Sequence, residues 1–408
     1  MRQEDSLHQD EGLAREIPIQ QSPIFFHETL EDKLERREKL HFARINQPVA
    51  VRNLYLRYER RDSFGEMRLK KPKSSKNRIK RILKHIDNLA NVANQEHIKE
   101  YFYGGKLLET ANNKVTRINL NEFALFTKDY PLSEDEINKL LAEIEKIAAR
   151  YHTNVHLSLG TIGCATSDGR LFNMAIYVQC GANPEISTVT KSHPIKEDPR
   201  YDHYAYSSRE EVAPHSNQEL SVMIAKEGIV AALPSPGSKV KAVNYNPLIV
   251  CKTKGGAEFI VGIDICYDHE QQHTRRALLN KINLLIQNTE NNYLPLQREH
   301  LIISNTIAVT EEHLISQIYT QADPSYIGSH SSFRGKIEEA KVIFEEENPV
   351  FGAKFFILAF PEHALALERD DPFYDVYLEP KWKSRIDIAN QKAMTARVQS
   401  RRSKPNLM

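Results

Sequence analysis

One helix set between alternating strands, near the middle of the chain, limits what the whole can fold into. SEDEINKLLAEIEKIAARY opens on Ser133 with Glu136 three residues later, the reciprocal pairing of side chains and backbone that starts a helix. Ile137, Leu140, Leu141, Ile144 and Ile147 recur at helical spacing and predict one apolar stripe that must bury. VTRINLNEFALF, before this helix, reads as a strand ending in a polar turn. After it come NVHLSLG, alternating Val155, Leu157 and Leu159, and LFNMAIYVQ, alternating Phe172, Met174, Ile176 and Val178. GANPE is turn chemistry leading by a hairpin into ISTVTK. Strands alternating with helices, some paired by hairpins, predict a layered α/β domain.

The flanks extend this reading. VAVRNLYLRY is strand-like, and Ile79, Ile82, Leu83, Ile86 and Leu89 predict a helix with one buried face. Residues 67–84 carry nine Lys or Arg and no acid; a solvated helix face explains such a run more simply than an anionic partner does. The segment from His193 to about Asn246 holds five prolines and reads as loop with one short helix near Leu220 to Lys226. Regular structure resumes with AEFIVGIDICYD, Gly255-Gly256 before it marking a hairpin. A helix around TRRALLNK follows, then INLLIQN, HLIISNTIAV, AKVIFEE and AKFFILAF. Residues 1–45 form a charged extension, and the tail from 366 to 408 is polar and basic at its end.

Composition excludes several classes. With 55 basic and 54 acidic side chains, the molecule as a whole is not an electrostatic binder of nucleic acid or membrane. No apolar run approaches the roughly 20 residues of a bilayer span. The polar start MRQEDSLHQDEGLARE is unlike a signal peptide, so a cytoplasmic protein is expected, with export without a cleaved signal leaving the same record. Cys164, Cys180, Cys251 and Cys266 show no CxxC spacing, which argues against a disulfide framework or a thiolate metal site and leaves room for one reactive thiol. His269 and His273 stand four apart, and His203 and His215 share another stretch, but there is no HExxH pattern; solvated histidines are expected rather than a metal site. GTIGCATSDG, in which Asp168-Gly169 reads as a turn, lacks the ending of a phosphate loop.

Three residues could carry chemistry. Cys266 ends the strand EFIVGIDI just before a helix, a place where a nucleophile is exposed at a sheet edge beside backbone N–H groups. Lys191 ends the strand ISTVT before a polar turn. Glu122 closes an apolar strand among Phe123, Leu125 and Phe126, where a carboxylate's pKa rises toward that of a base. Each alone is more simply structural. In this order, each at a strand's C-terminal end, NLNEFALF, STVTKSHP and VGIDICYDHE resemble the glutamate, lysine and cysteine motifs of the carbon–nitrogen hydrolase (nitrilase) superfamily.

The resemblance covers residues 46–365 and implies a four-layer α-β-β-α sandwich with an N-terminal helical extension and a basic tail, 194–246 being an insertion that covers the site. It also implies a homodimer. There are departures: Asn121 stands where the family usually has proline, and the interval from Lys191 to Cys266 is long. Glu362 follows Pro361 and matches the glutamate text better, but it comes after Cys266 in the chain and is set aside. By the resemblance, Glu122 is the general base and Cys266 attacks an amide, nitrile or carbamoyl carbon to give a thioester. Lys191 and the backbone N–H of Tyr267 stabilise the oxyanion, and Glu210 or Glu211 assists. No cofactor or metal is required. Asp268 is expected to fix the turn and cap the following helix. The substrate is expected to be a small-molecule amide or nitrile, with a protein side-chain amide, deamidated or transferred, as the runner-up. The reading from another class is a non-catalytic binding protein using residues 67–84.

Overall fold

A computed structural model describes residues 47–58, 75–125, 127, 131–165, 171–193, 230–231, 243–244, 246–287, 297–304, 318–322, 341–348 and 353–365. The principal elements in the first half are β1 (Ala50–Tyr58), α1 (Ser75–Tyr101), β2 (Lys114–Asn119), α2 (Glu134–Ala148), β3 (Val155–Ala165), β4 (Leu171–Gln179) and β5 (Glu185–Thr190). The second half adds β6 (Leu248–Lys252), β7 (Glu258–Ile265), α3 (Tyr267–Glu270), α4 (His273–Gln287), β8 (Arg298–Ile303), β9 (Ile318–Ala322), β10 (Lys341–Asn348) and β11 (Ala353–Ala364). The expected capping box is present: Ser133 accepts from the Glu136 N–H while the Glu136 carboxylate accepts from the Ser133 N–H. INLLIQN, read from sequence as an element after the TRRALLNK helix, is the second half of α4.

The elements form a mixed α/β fold with a large sheet ordered β10-β11-β1-β2-β3-β4-β5, Leu132–Ser133 pairing beside β3. Its central strands β1, β2 and β3 run parallel, and β11, β4 and β5 pair antiparallel with their neighbours. A second sheet, β6-β7-β8-β9, has β7, β8 and β9 parallel and β6 antiparallel, with the Gly255-Gly256 turn joining the first two.

The larger sheet is buried on both faces. Leu54, Ile118, Leu157 and Leu159 meet Ile82, Ile86 and Leu89 of α1 and the whole predicted stripe of α2 in one core, each buried Leu or Ile contributing about 1.5–3 kcal/mol. On the opposite face Val51, Val115, Ala175 and Val189 pack with Ile249, Phe259, Val261, Ile263 and Leu301 of the second sheet. Hence β3, read from sequence as alternating, is buried along nearly its whole length. At the start of α4, Thr274 crosses β7 so closely that a Cβ on Gly262 would lie 2.3 Å from its methyl group.

Polar groups also cross between the sheets. Arg117 of β2 meets both carboxylate oxygens of Glu299 on β8, Nη1 donating to Oε2 at 2.7 Å. Its Nη2 also reaches Asn53 at 2.7 Å and its Nε reaches Asn119 at 2.8 Å. Thr320 of β9 donates to Glu299 at 2.8 Å. Of the basic run, residues 67–74 lie outside the described residues, Lys80, Arg81 and Lys84 face solvent, and Arg78 binds Glu136 of α2 at 3.0 Å. Among the described residues no helix is long and apolar enough to cross a membrane. The N-terminal extension and the tail fall outside the described residues, as does nearly all of 194–246.

Candidate active site

β2 ends opposite Ser158, part-way along the parallel strand β3, and the chain leaving β2 turns sharply over 121–125. A register shift in the β3–β4 pairing between Ser158 and Thr161 makes room for this turn. Gly160, at φ +65°, lies against it: a Cβ there would sit 2.0 Å from the Asn121 carbonyl oxygen. Phe123 takes a left-handed φ of 56°, held as its N–H donates to Thr161 Oγ1 at 3.0 Å. The turn therefore carries Glu122 inward, where it is 4% exposed. Gly160→Ala is expected to push the turn aside and slow any reaction that depends on Glu122 by tenfold or more, since misplacements of about 1 Å cost roughly 10²-fold. Turnover measured beside a urea midpoint checks this.

Two donors meet one oxygen of that carboxylate. Asn173 Nδ2 of β4 donates to Glu122 Oε1 at 2.7 Å, and Lys191 Nζ donates to the same atom at 3.2 Å. Lys191 follows the last residue of β5, and its own N–H donates to the Asn173 carbonyl at 2.8 Å. The ammonium is fully buried, so the charge is held in a medium where ion pairing is strong and an unpaired charge is costly. Asn173 was missed in the sequence; the signal was an amide inside the apolar run LFNMAIYVQ, where no solvated face exists to receive it.

Cys266 follows β7 and is not exposed at the sheet edge as expected: it is buried with the side chains packed between the two sheets. Its backbone stands at φ 52°, ψ −112°, a conformation that costs a non-glycine residue about 1–3 kcal/mol and persists only where its surroundings impose it. Its N–H donates to the Ile303 carbonyl at 2.8 Å, and its carbonyl accepts from His269 N–H at 3.0 Å. Tyr267 is the first residue of α3, so its N–H belongs to the group that a helix start leaves without intrahelical partners.

Asp268 does not cap α3, as was expected. No side chain caps that helix. The Asp268 carboxylate turns instead to the lysine turn: Ser192 N–H donates to both its oxygens at 3.1 Å, and His193 donates to Oδ1 from its backbone at 2.7 Å. Residues adjacent to Lys191 and two beyond Cys266 are thus in direct contact. Of the histidines expected to be solvated, His203 and His215 lie outside the described residues, and the other two are not solvated. His269 and His273 are both buried, because α3 and the start of α4 lie against the sheet rather than at the surface.

His269 Nδ1 and His300 Nε2 both meet Asp264 Oδ2, at 3.2 and 2.6 Å, while Thr274 N–H donates to Oδ1 at 2.9 Å. Burial raises the Asp264 carboxyl pKa, but the two imidazoles outweigh it and hold the group well below the usual carboxylate range. Among the described residues these three could hold a cation, yet the 2.6 Å spacing is that of a hydrogen bond; two ligands at about 2.1 Å from one zinc ion stand roughly 3 Å apart or more.

Glu362 is at the other end of the sheet. It pairs across from Arg52 and binds Tyr101 Oη at 2.6 Å and the Lys114 ammonium, where β2 begins, whereas Glu122 lies past its end. Glu210 and Glu211 are outside the described residues.

No protein-family model matches the chain, and no curated protein does. Among solved structures the chain is similar to an N-terminal amidase. The identity is 12% and the TM-score 0.28, over 63% of this chain and 48% of that one. An N-terminal amidase with a Gln-Val peptide gives 11% and 0.27 over the same shares. A glutamine-dependent NAD+ synthetase from Acinetobacter baumannii gives 10% and 0.31, over 76% of this chain and 44% of that one. The chain spans about half the length of the structures it matches. Likeness at this level carries none of the chemistry, which rests on the side chains themselves.

Proposed function

We propose that the chain hydrolyses a non-peptide carbon–nitrogen bond through a thioester on Cys266. The observation that carries this reading is the buried Lys191–Glu122 pair standing one residue from the contact that joins Ser192 to the Cys266 turn. A buried ammonium and carboxylate at a strand end are hard to explain as stabilisation, because apolar side chains of the same volume would do as well.

In this mechanism Glu122 takes the proton of the Cys266 thiol, and the sulfur forms a bond to the substrate carbon. For an amide, the carbonyl π pair moves to oxygen, where the Lys191 ammonium and the Tyr267 N–H meet the developing charge. Collapse breaks the C–N bond, and the amine leaves with the proton that Glu122 holds. Water then gives its proton to Glu122 and attacks the thioester carbon, and sulfur departs, taking that proton back from Glu122 to restore the thiol and the carboxylate. Carbamoyl compounds offer a similar carbonyl carbon, and a nitrile is attacked at its C≡N carbon to give a thioimidate, which takes up one water and loses ammonia to reach the thioester. The two facing sheets with α1 and α2 outside one and α4 outside the other support a four-layer arrangement for residues 46–365.

The test is selective alkylation. Burial pushes the Cys164 and Cys180 thiols up to about 12 and Cys251 higher still, so these three stay protonated and slow, since the thiolate is the reactive form. Iodoacetamide at neutral pH, followed by peptide mass spectrometry, is expected to label Cys266 well ahead of them. Equal labelling of all four would remove the reading.

A further inference from the structure

We propose that Asp268 is a positioning residue whose carboxylate locks the Lys191 turn to the Cys266 turn and so fixes how the ammonium is presented to a substrate on Cys266. The inference rests on the thioester reading and adds to it the element that brings two distant loops into register.

Asp268 is completely buried, and a carboxylate in that position must be met by donors. They all come from the two residues after Lys191. Ser192 N–H lies 3.1 Å from each oxygen, and His193 gives Oδ1 its N–H at 2.7 Å and its ring Nδ1 at 2.9 Å. Two successive backbone N–H groups turned onto one anion form a fixed cradle. On its other side the same turn is braced by His273, whose Nε2 lies 3.1 Å from Ser192 Oγ.

The backbone of Lys191 is therefore tied on both sides. Its own N–H is bound to the Asn173 carbonyl, and the N–H that follows is bound to Asp268. The side chain is tied at its far end by Glu122. Asp268 is separated from Cys266 by Tyr267 alone, so the strained backbone at the nucleophile and the lysine turn move as one unit. A helix cap would have faced the first turn of α3; this carboxylate faces another loop, 75 residues away for His193.

The experiment is a double-mutant cycle read by the rate constant for iodoacetamide alkylation of Cys266 in the full chain, at one pH, in wild type, Asp268→Ala, Lys191→Ala and the double variant. Thermal midpoints confirm that each is folded at the working temperature. If Asp268 acts through Lys191, Asp268→Ala slows alkylation about tenfold and the double variant is no slower than Lys191→Ala alone. Asp268→Asn keeps an oxygen at the Oδ1 position, where three of the four contacts converge, and is expected to restore most of the rate; it also serves if the alanine variant does not fold. Multiplying effects in the double variant, or a wild-type rate in Asp268→Ala, would overturn the proposal. Failure of the parent reading shows separately, as absence of any acyl adduct in the wild type.

Discussion

Glu122→Gln is expected to leave the fold intact and to slow acylation of Cys266 by roughly 10²–10⁴-fold, the range that a general base contributes. The geometry makes this substitution clean. Asn173 and Lys191 both donate to Oε1, so a glutamine can present its amide oxygen to both without moving either. What it cannot do is accept the thiol proton or later that of water. It also removes one negative charge from beside the buried Lys191 ammonium, and part of the loss will come from there. Pre-steady-state release of the first product, with a urea midpoint for each protein, separates the chemistry from stability. Unchanged acylation in Glu122→Gln would mean that the proton goes elsewhere.

The second large effect is on stability. Arg117→Met is expected to cost about 3–5 kcal/mol, the usual loss when one partner of a buried ion pair is removed. Arg117 and Glu299 are both fully buried, one on each sheet, so the variant leaves a carboxylate between two packed layers with Thr320 among its few remaining donors. Asn53 and Asn119 lose a partner as well. Adding Glu299→Leu to Arg117→Met should recover much of the loss, because an apolar pair of similar volume carries no desolvation cost. Urea unfolding of the single and double variants reads both outcomes. A single variant as stable as wild type would show that the network contributes little.

Much of the scaffold was legible because local rules agree with the fold. The Ser133–Glu136 box, the stripe from Ile137 to Ile147, and the strands around Leu157 and Ile176 each follow from spacing within a few residues. What escaped depends on pairing across long intervals. Alternation in β3 shows that one face is apolar, but not that the other face, with His156 stacked on Phe259, is buried against a second sheet. Arg117 finds its partner 182 residues away, and nothing near Arg117 announces a buried guanidinium.

The site divides the same way. Glu122, Lys191 and Cys266 stood out because each follows a strand, and the chain brings Lys191 onto Glu122 directly. Asn173, Asp268 and His273 act across loops, and their roles exist only once those loops meet. Asp268 misled because a carboxylate just inside a helix start is usually a cap, whereas here the cradle after Lys191 takes it.

The central claim is that Cys266 becomes acylated by a carbon–nitrogen substrate with Lys191 as the electrophilic aid. The most direct measurement is intact mass after incubation with a panel of amides, nitriles and carbamoyl compounds, quenched at short times. A mass increase equal to the acyl group is predicted, mapped to Cys266, absent in Cys266→Ala and Lys191→Ala, and retained in Glu362→Ala. An adduct that survives Cys266→Ala, or that forms equally well in Lys191→Ala, would contradict the account.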